Sequence, residues 1–189
     1  MRADEEPNDP YGLQFLLIEY TNRSMWKEIV DVITNRLIPI INSDTCEFSG
    51  IGREECLQNA YRYLALAYRQ LGKNFECYIA IDRSIEADPT SLPSYLVKAE
   101  YALQDQKPDI TIKTILQGLQ VCYRRLNWQE HEDDWSYKPF VLLTQAYYMT
   151  KQYMQAYFAA LTARDLGKPE DTYLQHNVDV CKAAMDQEH

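Results

Sequence analysis

Glycine and proline are scarce in this chain, six and eight residues among 189. A protein rich in β-turns leans on both, so the composition excludes a sandwich or barrel of many short strands. Long apolar runs are missing as well. None approaches the roughly 18–20 residues needed to span a bilayer. Residues 1–10 are acidic and lack an apolar stretch, so they read as a short disordered lead-in and not as a signal peptide. Basic charge is also in short supply: 19 Lys and Arg stand against 28 Asp and Glu, for a formal charge of −9. With no basic stripe, neither nucleic acid nor an anionic membrane surface is expected as a partner. The acidity serves solubility, or draws a basic partner.

Motifs that carry chemistry are absent too. The five cysteines, Cys46, Cys56, Cys77, Cys122 and Cys181, are odd in number, scattered and without a Cys-x-x-Cys pair. His131, His176 and His189 do not join them at zinc spacing. Such thiols read as free, several of them small core residues, in a reducing compartment. That places the chain inside the cell, cytoplasmic or nuclear. No glycine-rich phosphate loop, His-Glu-x-x-His or Gly-x-Ser-x-Gly occurs. The run Glu130 to Asp134 has ligand-type side chains. Consecutive loop residues rarely converge on one ion, however, and calcium-loop spacing is missing. A solvated acidic loop, open to a basic peptide, is the better reading. No catalytic residue, metal or cofactor is expected.

What the chain does have is helical periodicity and tyrosine, fifteen of them against five phenylalanines. Tyrosine buries a ring while keeping its tip wet, which suits half-exposed helix faces and grooves. The clearest stretch is 56–89. It predicts a helix from Cys56 to Leu71 with a stripe of Leu57, Tyr61, Leu64 and Tyr68. A turn at Gly72 leads to a second helix from Phe75 to Ala87 with Cys77, Ile81 and Ile85, stopped by Asp88-Pro89.

Those residues resemble the tetratricopeptide repeat. Tyr61, Leu64, Ala65, Tyr68, Cys77, Ile81, Ser84 and Pro89 fall on the family's positions 4, 7, 8, 11, 20, 24, 27 and 32. Small residues at 8, 20 and 27 let helices approach where bulky ones insert. A second unit follows 34 residues on, with Tyr95, Ala99, Ala102, Thr111, Ile115 and Gly118, although Lys98 replaces the usual leucine at 7. Asp109 is its expected second-helix cap, with that helix running to about Arg125. A third starts at Phe140 and continues through Leu143, Thr144, Tyr147, Ala156, Ala160 and Ala163, with Pro169 one place late. The extra spacing before it is an acidic loop, 127–137. Ahead of the clear unit, Leu13, Leu16, Leu17 and Tyr20, then Trp26, Ile29 and Ile33, fit a degenerate unit followed by a loop over 42–55. Residues 171–187 read as a capping helix with Leu174, Val178, Cys181 and Met185 on its apolar stripe. The expectation is an all-α fold: an α-solenoid of about four antiparallel hairpins (11–41, 56–88, 92–126 and 138–167) plus the cap. It would form a single domain over 11–189.

The resemblance implies a protein-binding groove lined by positions 2, 5, 9 and 12 of each first helix. Here those are Gln14 and Ile18; Asn59, Arg62, Leu66 and Arg69; Leu96, Glu100 and Leu103; and Lys138, Val141, Gln145 and Tyr148. The family's carboxylate clamp for chaperone tails needs paired basic and amide donors. In one register its places hold Arg62, Leu66, Val97, Lys138 and Leu142; in the other, Gln14, Ile18, Tyr63, Pro93 and Val97. Neither supplies the set. The lining instead suits a short segment with apolar anchors and one acidic contact, for which Arg62 and Arg69 are the cations. The expected role is a non-catalytic scaffold or adaptor subunit. The alternative is a co-chaperone or targeting receptor that reads a linear motif. Self-association through the N-terminal end stays open.

Overall fold

A computed structural model of the protein describes residues 9–44, 46, 48, 52–123, 132–167 and 171–187. Among them there is no strand, and successive helices pack in pairs. The lead-in to residue 8, the first half of the acidic insertion and Pro169 lie outside the described residues. The chain divides into two compact units, Met1–Pro89 and Thr90–His189, where a single domain is expected from sequence. The division falls at Asp88-Pro89. Proline forces the residue before it out of the helical region, and Asp88 is accordingly extended (φ −144°, ψ 88°).

In the first unit, α1 (Pro10–Asn22) starts with Asp9 accepting the Gly12 amide at 2.8 Å and with proline in its first turn. It pairs with a second helix made of three pieces: α2 (Trp26–Val32), a π-helical turn (Ile33–Leu37) and α3 (Ile38–Ile41). Pro39 explains the widening. It has no N–H, and its ring crowds the carbonyl four residues back, so the helix loosens just ahead of it and Ile38 donates to the Ile33 carbonyl. Then come α4 (Arg53–Gln70) and α5 (Asn74–Ala87). On α4 Leu64 of the expected stripe is buried, and elsewhere the buried residue is the one just before the expected one. Cys56, Ala60, Leu64 and Ala67 are buried, while Leu57, Tyr61 and Tyr68 flank them half-exposed. Small residues lie where neighbouring helices come closest, and the large rings fill the margins.

The second unit runs α6 (Leu92–Gln104), α7 (Pro108–Val121), a 3₁₀ turn (Glu132–Trp135), α8 (Lys138–Met149), α9 (Tyr153–Leu166) and α10 (Thr172–Gln187). Lys107 takes the cap position expected for Asp109. Asp109 lies inside the first turn, where its carboxylate meets the positive end of the helix. The helix stops at Val121, short of Arg125. Close approach recurs at the small residues. A Cβ on Gly118 would lie 3.0 Å from Leu92 and Tyr95, and one on Gly167 would collide with Leu174. Thr111 donates its hydroxyl to the Ala99 carbonyl at 3.0 Å, and in the first unit Ser84 does the same to Gln58 at 2.7 Å.

The four hairpin turns share one geometry. Ser24, Gly72, Gln106 and Lys151 each take a left-handed conformation, with φ between 56° and 72°. In each, the next amide bonds back across the turn: Met25 to Tyr20, Lys73 to Tyr68, Lys107 to Ala102 and Gln152 to Tyr147, at 2.8–2.9 Å. The turn residues are 48, 34 and 45 positions apart, as 24, 72, 106 and 151 show. Tyr61, Tyr95 and Phe140 stand at the same intervals after Leu13. One of these turns carries glycine; the other three accept a side chain in a strained region.

Candidate partner-binding site

The thirteen groove positions separate sharply once placed. In the first unit, three of them turn toward one another. Arg62 donates to Asn59 Oδ1 at 2.9 Å, Asn59 donates to Gln14 Oε1 at 3.4 Å, and Gln14 donates to the Cys56 sulfur at 3.4 Å. Gln14 and Asn59 are 2% and 1% exposed, so they offer a partner no surface. They form a buried polar chain between α1 and α4. Burial pushes the Cys56 thiol up to about 11, against the hydrogen bond from Gln14. Ile18 and Leu66 are half-buried. Arg69 reaches Asn74 at 3.4 Å. The expected basic pair is therefore engaged within its own unit. Near it, Arg83 and Lys73 lie 5.9 and 5.8 Å above the rings of Tyr61 and Tyr68.

In the second unit, Leu96 is 1% exposed and belongs to the core. Glu100 and Lys138, both expected in the groove, meet each other at 3.2 Å, and Lys138 also reaches the buried Asp134 at 3.3 Å. Burial works against the Lys138 ammonium, but the two carboxylates outweigh it and hold its pKa above the usual value. The described end of the acidic insertion is thus a clasp, with Asp134 turned inward. Val141 is half-buried.

Leu103, Gln145 and Tyr148 come together. They line a cleft of about 480 Å³ between the end of α6, the second half of α8 and α10. Tyr148, Met149 and Val180 supply exposed apolar surface beside Leu103, while Thr144 and Cys181 complete the wall. Gln104, Gln106, Gln145 and Asn177 bring amide groups to it. Gln145 donates to the Tyr173 hydroxyl at 2.9 Å, which ties α8 to the first turn of α10. Asp171 steadies that turn by accepting the amides of Tyr173 and Leu174. Burial raises the Cys181 pKa, so this thiol stays protonated and serves as an apolar wall.

Seven cleft residues, Gln104, Gln106, Thr144, Met149, Asn177, Val180 and Cys181, are not among the groove positions expected from sequence. Gln106 occupies the left-handed turn position, which no residue type announces when glycine is missing. Asn177 and Val180 flank the buried stripe Leu174, Val178 and Cys181 of α10. A helix read as a cap is thereby also a wall. A scan against family models finds no match for the chain, and a search of curated proteins finds none. Among the described residues no group of His, Cys, Asp and Glu is arranged to hold a metal ion, and no helix is long and apolar enough to cross a membrane.

Proposed function

We propose that this protein is a non-catalytic interaction module of the tetratricopeptide kind, a scaffold or adaptor subunit that holds a segment of a partner protein. The observation that carries the reading is the cleft walled by α6, α8 and α10, where Leu103, Gln145 and Tyr148 converge. Amide and apolar side chains side by side suit a peptide, whose main chain needs hydrogen bonds and whose side chains need apolar cover. The helix pairs with their repeated turn geometry support a solenoid of hairpins as the framework. The co-chaperone reading stands as the alternative: the same cleft would then take a free linear motif, without a carboxylate clamp.

A photo-crosslinking residue at position 148 tests this. In extract from the native source it is expected to trap a discrete partner, and Val180→Asp should abolish the trapping. The same residue at position 158, exposed on α9 and outside the cleft, is the control. Equal trapping from both positions, or trapping that survives Val180→Asp, overturns the cleft as the site. A partner that copurifies at stoichiometry favours the subunit role, whereas micromolar binding of an isolated peptide favours the receptor role.

A further inference from the structure

Among the described residues, the ten side chains that line the cleft include none that is charged, although 47 of the 189 residues are Asp, Glu, Lys or Arg. Charged residues adjoin the lining in sequence, Asp105 between Gln104 and Gln106 and Asp179 beside Val180, but do not line it, and Lys138, more than a helical turn up α8 from Thr144, holds Glu100 and Asp134. An ion seated against this apolar wall would lose part of its water and find no counter-charge among the described lining residues, which costs free energy. Amides behave differently. Each offers a donor and an acceptor, matching the N–H and C=O of a main chain without requiring charge. Gln145 is pre-oriented by Tyr173, so less order has to be imposed on binding. The cleft volume, about 480 Å³, is large enough to seat a side chain.

We infer that the cleft selects a partner segment by one uncharged apolar side chain, aromatic or branched aliphatic, whose flanking main chain is held by the amides of Gln106 and Asn177. This rests on the reading of the cleft as the partner site and adds what it recognises. It departs from the sequence expectation of an acidic contact: the cations expected to make it, Arg62 and Arg69, lie in the other unit.

Methionine-methyl NMR tests the inference on the full chain. Of five methionines, Met149 lines the cleft, whereas Met25 and Met154 do not and report unrelated changes. The probes are short peptides, N-acetylated and C-amidated, of Ser and Ala with a central Leu, Phe, Asp or Lys. Leu and Phe peptides are expected to move the Met149 resonance saturably, at least about tenfold more tightly than the Asp and Lys peptides. Added salt should leave that binding unchanged. Val180→Asp should abolish it. If that variant fails to fold, Tyr148→Ser, at a half-exposed position, should weaken it. Asp or Lys peptides that bind as well as Leu overturn the selectivity and leave the cleft as a peptide site. N-acetyl-leucine amide binding as tightly as the longer peptides removes any role for the flanking main chain and overturns the segment assignment. No movement of Met149 with any probe overturns both the inference and the reading beneath it.

Discussion

The two units place the same groove positions on first helices of similar hairpins and use them in opposite ways. On α1 and α4, Gln14, Asn59 and Arg62 find each other and close into a buried chain ending on Cys56. On α6 and α8, the upper positions close through the Glu100–Lys138–Asp134 clasp, and the lower ones, Leu103, Gln145 and Tyr148, open onto the cleft. Facing direction is therefore not exposure. Where amides oppose amides at hydrogen-bonding range, the face satisfies itself and becomes core. Where α10 stands off with Val180 and Asn177, the face stays open.

The largest test of this contrast is Asn59→Ala against Gln145→Ala. Removing Asn59 takes the donor from the buried Gln14 Oε1 and is expected to cost about 2 kcal/mol in urea unfolding. Gln145 is partly exposed, and its alanine variant should stay within about 0.5 kcal/mol of the parent. Partner trapping should follow the reverse order, weakened by Gln145→Ala more than by Asn59→Ala. Equal costs in unfolding would erase the distinction between a closed face and an open one. For the same reason, reversing Arg62 to Glu is expected to destabilise the first unit before it reports on any partner.

Much of the fold is legible in the sequence. Alanine, cysteine, serine, threonine and glycine at close-approach positions mark the helix pairs, and intervals of 48, 34 and 45 mark the hairpins. The losses have physical causes. The hairpin over 11–41 is expected without any break, yet Pro39 widens its second helix into a π-turn. Asp109 looks like a cap, yet the helix starts at Pro108, two places earlier than that cap would set it. Groove exposure is illegible because it depends on the facing helix. Nothing in Gln14 and Asn59 separately tells that they will meet across 45 residues. In α10, periodicity marks the buried stripe but not its flanks, and the flanks make the cleft.

The turns offer a middle-sized test, because the units solve the same geometry with different residues. Gly72 meets no atom within 4 Å where a Cβ would stand, so Gly72→Ala pays for backbone strain alone, about 1 kcal/mol. Lys151 occupies the matching position with a side chain, and Lys151→Gly should gain about 0.5–1 kcal/mol, the strain relieved less the added freedom of the unfolded chain. Opposite signs at equivalent turns are the expected outcome in urea unfolding. A loss at Lys151→Gly would mean that its side chain, and not the turn, holds that hairpin.

The smallest effect separates the units by pH. Cys56 holds its proton to about pH 11 in the folded chain, against an ordinary value of 9.0, because burial disfavours the thiolate. Its folded pKa exceeds its unfolded one, so its contribution to stability is complete below pH 9.0 and is lost as pH rises toward 11. Tyr63, also raised by burial, adds to the same alkaline slope. Lys138 is likewise raised, from 10.5, by Glu100 and Asp134 against the cost of burial; its contribution persists to higher pH before it falls. Fluorescence of Trp26 for the first unit and of Trp135 for the second, each in a single-tryptophan variant, follows the two separately. Both units hold a buried thiol raised above 9.0, Cys56 and Cys181, and are expected to weaken from about pH 9; the second adds Tyr137, raised above 10.0, and Lys138, raised above 10.5, at the far end of its slope. Cys56→Ala should flatten part of the first slope and leave the second, while Lys138→Met should do the converse. A single common slope that neither variant alters would show that the buried chain and the clasp are not the groups that tie stability to pH in their units.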